Sequence, residues 1–227
     1  MTLARNRSEN KTPKGTRARR AGSVSRLDIG LAQNLAETEA TNSATTWILC
    51  PWLEYFPDTN GVWLSVLAAH DSNEGLLQAL AASTKTWANV YAGVFAVDTL
   101  RPSSQLIRCL KNAGVAGVIN FPSISFIDGE AGEVFSGLSL GIDREIDFLR
   151  KCSSAGLRIA GVTKSMEAAE QLSNMGVDFL IAHGGPPTRD NADPSQDAAM
   201  HVESALRRHN TPVIPISRVL QYSRSST

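Results

Sequence analysis

Three times between residues 103 and 182 the same unit recurs: an amphipathic run stops at a glycine and a short apolar run follows. Ser103–Asn112 leads to Gly114 and Ala116–Ile119, Ile142–Ala155 to Gly156 and Arg158–Val162, and Ser165–Met175 to Gly176 and Phe179–Ala182. A glycine there takes the left-handed conformation that closes a helix. Repeated at this spacing, helix, glycine, short hop and strand imply strands that all run one way. The pattern therefore predicts a parallel α/β sheet rather than a bundle or a sandwich.

The rest of the chain extends this pattern. Thr45–Leu49 and Val90–Val97 read as strands, and Pro212–Ile216 as the last one. Leu31–Ala40, Leu76–Trp87 and Ser195–Arg208 read as helices, the second opened by Asp71 as N-cap. Trp52–Ala69 is irregular. A closed (β/α)8 barrel needs eight strands, and only six are evident. Ser23–Ile29 is a poor strand, and SRVLQYSRSST after Ile216 is too short for a helix and a further strand. The expectation is either an open α/β sheet or a TIM barrel with its first strand degraded and its eighth missing.

Composition separates a tail from this domain. The chain of 227 residues has zero net charge, yet residues 1–26 carry eight Lys/Arg against the single acid Glu9. The remainder is correspondingly acidic. Residues 1–26 lack an apolar stripe and are expected to be a disordered basic extension. Arg17, Arg19 and Arg20 also fit a nuclear address or a nucleic-acid contact, and the Arg/Ser/Thr content loosely fits a presequence. The solvated extension is preferred over all three. Residues 27–220 then form the barrel domain and 221–227 a disordered end. Cys50, Cys109 and Cys152 lack metal-like spacing and cannot all pair, which suits a reducing, cytoplasmic setting. No apolar run approaches the ~20 residues of a membrane span.

In a parallel barrel, chemistry sits on the loops after the strands. Asp98 follows Val90–Val97 as a candidate base or divalent-metal ligand, Mg²⁺ being one option, or as a cap for the next helix. Arg101 is placed to grip a carboxylate or phosphate, or to pair with Asp98. Asn120, held by Pro122, ends Ala116–Ile119 as a candidate catalytic residue, with Pro122 as a substrate-binding position. Asp128-Gly129 reads as a mobile catalytic loop or an ordinary turn. His183 follows Phe179–Ala182 as a candidate acid/base, with Gly184 and Gly185 as substrate-binding positions beside it. Lys164 reads as a Schiff-base lysine only if desolvated, and otherwise as a solvated loop residue.

GVFAVD (93–98), GVINFP (117–122) and FIDG (126–129) resemble the phosphoenolpyruvate hydrolase-like TIM-barrel family. That family is also described as similar to indole-glycerol-phosphate synthase, and it forms the C-terminal part of a tomato tobamovirus-resistance protein. GIDREI (141–146), MEAAEQLSNMG (166–176) and VDFLIAHG (177–184) extend the resemblance, which covers roughly residues 31–217. It implies an aldolase-type barrel and a homo-oligomer. It also implies cleavage chemistry on a small phosphorylated or keto acid, assisted by a divalent cation. The loop after the second strand, Cys50-Pro51-Trp52-Leu53-Glu54, departs from the family pattern. Two other readings follow from that departure and the missing strands: a non-catalytic regulatory or binding protein, or a truncated, degenerate homologue.

Overall fold

The computed structural model describes residues 27–39, 45–56, 59–67 and 70–224. The expected tail, residues 1–26, lies outside them. In chain order the elements are β1 (Ile29–Ala32), α1 (Leu35–Glu39), β2 (Thr46–Leu49), α2 (Ser72–Ala81), β3 (Trp87–Gly93), α3 (Ser103–Asn112) and β4 (Val115–Ile119). There follow α4 (Gly129–Gly137), α5 (Ile142–Ser154), β5 (Arg158–Thr163), α6 (Met166–Asn174), β6 (Leu180–Ala182), α7 (Pro194–Ala205), β7 (Val213–Pro215) and α8 (Ile216–Arg224). The seven strands lie in sequential order, and every neighbouring pair is parallel. Gly114, Gly156 and Gly176 all have positive φ, at 68°, 88° and 78°, as helix-closing glycines should.

The sheet curls. Tyr91 of β3 packs edge-on against Phe179, just before β6, at a centroid distance of 5.2 Å. Its hydroxyl donates to Asp178 Oδ2 at 2.5 Å. In a flat sheet, strands three places apart would be about 14 Å from one another. The curl divides the apolar residues by parity. Ile29, Leu31, Ile48, Tyr91, Ile119, Val162 and Ile181 face an interior cluster. Trp47, Leu49, Val90, Val118 and Leu180 face the surrounding helices. Gly117 leaves room for the Tyr91 ring, since a Cβ there would sit 2.5 Å from Tyr91 Cε1. The architecture is an incomplete TIM barrel of seven strands.

Its two edges are protected differently. α8 packs on β1. Val219 joins the interior cluster, and Arg218 donates to the Leu27 carbonyl at 3.2 Å. β7 is three residues long and contains Pro215, which has no N–H to offer another chain.

Five local expectations need correction. The helix expected over Leu76–Trp87 ends at Ala81, and Trp87 opens β3. The first strand is Ile29–Ala32, so Leu31–Ala40 is strand and then the short α1. A run as brief as IGLA cannot be separated from helix by periodicity. β3 ends at Gly93 instead of Val97, because the next backbone groups are claimed by a side chain: Phe95 N–H donates to Asn73 Oδ1, and Asn73 Nδ2 donates to Phe95 O, each at 3.0 Å. Gly129 starts helix α4 instead of a loop. After Ile216 the chain forms α8, which runs to Arg224, beyond the expected domain boundary at 220.

Candidate functional site

Two buried acids sit beyond the C-terminal ends of the strands, each gripped by an asparagine. The first is Asp98. Its Oδ1 accepts from the N–H groups of Leu100 (2.6 Å) and Arg101 (3.2 Å). Its Oδ2 accepts from Asn73 Nδ2 (2.8 Å) and Arg101 Nη1 (3.1 Å). Arg101 also pairs with Asp71 and Glu74, both at 2.7 Å. The Arg101 hydrogen bond is the main reason the Asp71 carboxyl is held below its usual range. The guanidinium thus faces three carboxylates, and Asp98 has accepted four hydrogen bonds. This arrangement does not fit a divalent cation, because the positive charge beside Asp98 is already Arg101. Among the described residues no group of three or more His, Cys, Asp or Glu is placed to hold a metal ion.

The second acid is Glu145, in the first turns of α5 and wholly buried. Oε1 accepts from the Ile124 N–H at 2.7 Å. Oε2 accepts from Asn120 Nδ2 at 2.6 Å and from Ser123 Oγ at 2.7 Å. Asn120 is fixed in turn by β5: Val162 N–H donates to its Oδ1 at 2.7 Å, and its Nδ2 donates to Val162 O at 3.1 Å. Among the described residues no cation touches Glu145. Burial pushes its carboxyl up to about 7, against the smaller opposing pull of these hydrogen bonds.

His183 completes this second group. It follows β6 and is fully buried, between Trp63 at 5.5 Å and Phe126 at 5.0 Å. Nε2 lies 2.9 Å from Ser125 Oγ, and Ser125 Oγ lies 2.7 Å from Ser123 Oγ. Nδ1 has no hydrogen-bond partner among the described residues. Burial, with a further contribution from Lys164, lowers the imidazole to about 3, so the ring is neutral near pH 7. The barrel mouth beside it is filled by aromatic rings, with Trp52 against Phe121 at 5.5 Å and Phe121 against Phe126 at 5.9 Å.

Next to Ser125 opens a pocket of about 680 Å³ lined by Asp128, Ser136, Thr163, Lys164 and Ser165 among others. Lys164 and Asp128 form an ion pair at its rim. Lys164 stands at the end of β5, and Ser165 caps α6 by accepting from the Ala168 N–H at 3.1 Å.

Asp98, Asn120, Asp128 and His183 thus all lie at one end of the sheet, but not in one cluster. Asn120 and His183 are joined through Ser123 and Ser125, and Asp128 stands near His183 beside Lys164. Asp98 and Arg101 belong to the separate Asn73 group. Pro122 is buried next to Phe121. Gly184 faces protein, since a Cβ there would meet Pro194 O at 2.3 Å, and Gly185 makes the following turn at φ 97°. Sequence reasoning gave no role to Asn73, Ser123, Ser125 or Glu145. Glu145 carried a signal: it shares the helix stripe Ile142, Ile146, Leu149 and Cys152, where an acid is out of place unless it is bonded.

A curled parallel sheet with a polar cluster at the strand C-termini defines a protein of the (β/α)-barrel class. The chain belongs to the phosphoenolpyruvate hydrolase-like family, which it matches over residues 55–214. It is similar to y4oT, an uncharacterized protein of Sinorhizobium fredii, with 31% identity over 154 residues, covering 68% of this chain and 79% of y4oT. It is also similar to the ToMV resistance protein Tm-1(GCR237) of Solanum lycopersicum and to the susceptible form tm-1(GCR26). Each is 27% identical over 99 residues, which span 44% of this chain and 13% of the tomato protein. Among the described residues no helix is long and apolar enough to cross a membrane.

Proposed function

We propose that the chain is an enzyme that cleaves a C–O, C–C or P–O bond in a small phosphorylated or keto acid. The observation that carries this reading is His183: a neutral, buried imidazole with one bare nitrogen, bonded through Nε2 to Ser125, which lines the pocket rimmed by Lys164. The ammonium group of Lys164 and the N-terminus of α6 would hold the anionic group, displacing Asp128. His183 would take or return the proton, and Glu145 would set the charge behind it. No step requires a metal at Asp98. The family name supports a phosphoenolpyruvate-like substrate. The free thiols of Cys50 and Cys152, both buried, fit a reducing compartment such as the cytoplasm. The exposed Val134 and Leu138 at α4 support self-association, which light scattering would test.

Titration of the full chain with phosphoenolpyruvate and with pyruvate, followed by assay for released phosphate, tests the reading. Binding that weakens at least tenfold in Lys164→Ala, with turnover lost in His183→Gln, is the expected result. Absence of binding to either acid would favour the second reading, a non-catalytic regulatory protein. That reading draws on the aromatic filling of the mouth and on the full occupation of Asp98 and Arg101.

A further inference from the structure

An unbroken file of hydroxyls joins Glu145 to His183. The steps are 2.7 Å from Glu145 Oε2 to Ser123 Oγ, 2.7 Å to Ser125 Oγ, and 2.9 Å to His183 Nε2. Each serine has one proton to give. When Glu145 is ionised, Ser123 donates to it, Ser125 donates to Ser123, and His183 Nε2–H donates to Ser125. Nδ1 is then bare. When Glu145 carries a proton on Oε2, every bond reverses: the carboxyl donates to Ser123, Ser123 to Ser125, and Ser125 to Nε2. The ring proton then sits on Nδ1. The ends of the file are held in place. Ile124 N–H occupies Oε1, and Val162 N–H on Asn120 Oδ1 keeps the Asn120 amide from rotating.

We infer that Ser123 and Ser125 form a proton wire that ties the tautomer of His183 to the protonation of Glu145. A proton accepted at Nδ1 releases the Nε2 proton to Ser125 Oγ. The Ser125 proton passes to Ser123 Oγ, and the Ser123 proton to Glu145 Oε2. The ring ends neutral with its tautomer exchanged, and the carboxylate ends as a carboxylic acid. Running the file backwards returns the proton. This makes Ser123 and Ser125 positioning residues for the acid–base step. The wire rests on the proposed function only for the source of the proton, because the coupling itself needs no substrate.

Among the described residues the charged groups facing the ring are Lys164 and Asp128, and Trp63, Phe126 and Ser125 lie against it. Glu145 faces Asn120, Ser123 and the Ile124 N–H, while the neighbouring Arg144 turns to the Asp98 carbonyl at 3.2 Å. Asp128 is held below its usual range by Lys164, so it stays ionised near neutrality. Glu145 changes state near pH 7, where the ring is neutral.

The test is ¹⁵N and ¹³C NMR of the labelled full chain between pH 5 and 9, with the His183 signal assigned by its loss in His183→Asn. His183 should pass from the Nδ1–H to the Nε2–H tautomer as pH rises, at the same midpoint as the Glu145 carboxyl. Ser125→Ala, on a half-buried turn, and Ser123→Ala should each abolish the tautomer change while Glu145 still titrates. Ser125→Thr should restore it, and Lys164→Gln should leave it intact. One tautomer throughout in the unsubstituted chain would overturn the wire, as would an unchanged transition in Ser125→Ala. Failure to bind phosphoenolpyruvate would not move these signals, so the wire and the proposed substrate fail separately.

Discussion

Asn73 and Asn120 perform the same task in two places, with different outcomes. Each accepts a backbone N–H on its carbonyl, from Phe95 or Val162, and donates to the carbonyl of that same residue. Each then directs its amide at a buried carboxylate, Asp98 or Glu145. The difference is the cation. Asp98 has Arg101, and the donors to Glu145 among the described residues are neutral. A guanidinium gives a buried carboxylate a directly bonded counter-charge. An acid surrounded by amides and hydroxyls keeps both protonation states within reach near neutral pH. The Asn73 group therefore reads as a structural clasp between α2 and the β3–α3 loop, and the Asn120 group as the chemically poised one.

Removing the cation should break this comparison most visibly. Arg101→Met leaves the Asp98 carboxylate buried without a counter-charge, and it releases Asp71 and Glu74. Breaking a buried pair in this way costs about 3 kcal/mol or more. Urea denaturation should show the midpoint falling without a change in slope. A loss under about 1 kcal/mol would mean that water reaches Asp98, and that the clasp is no more than a surface pair.

The second effect is a slope, not an offset. The carboxyl of Glu145 is raised to about 7 in the folded chain, above its unfolded value. The folded state therefore binds this proton more tightly, and stability falls as pH rises from the unfolded carboxylate pKa through 7. His183 is lowered to about 3, below its unfolded value. Its contribution is complete above the unfolded imidazole pKa and is lost as pH falls toward 3. Between about pH 4.5 and 6.5 the two slopes oppose each other, each at up to about 1.4 kcal/mol per pH unit. Unfolding free energy of the unsubstituted chain should be nearly flat across that window. Glu145→Gln should expose the His183 limb, so that stability climbs with pH. A flat profile in the variant would remove the claim that these two groups titrate abnormally.

What the sequence disclosed follows from what is local. Gly114, Gly156 and Gly176 announce helix ends because a left-handed residue closes the helix two residues past its last turn. The parallel order follows from the helices between strands. β1 was obscure because four residues, IGLA, carry too little pattern. The end of β3 at Gly93 was unreadable because Asn73, 20 residues upstream, supplies the bonds that replace the ladder. The candidate site divides in the same way. Asn120 and His183 were visible at strand ends. Ser123 and Ser125 acquire a role only when Glu145 arrives from α5, a contact between segments some 20 residues apart that no spacing rule records.

The smallest effect concerns the rim of the pocket. Lys164 and Asp128 are an exposed pair, with side chains 39% and 69% accessible. Such pairs contribute about 0.5 kcal/mol or less to folding. Asp128 stands at the N-cap position of α4 without a capping bond from its side chain, and Asn suits that position as well as Asp does. Asp128→Asn should therefore leave the melting temperature almost unchanged. Its effect should appear in ligand binding. If Lys164 receives the anionic group of the substrate, Asp128 competes with that group, and its neutralisation should tighten phosphoenolpyruvate binding by about twofold, the factor that corresponds to releasing a pair of this strength. Calorimetric titration of the variant against the unsubstituted chain measures the ratio. Weaker binding in Asp128→Asn would mean that the carboxylate helps to hold the ligand, and would move the proposed anion site away from Lys164.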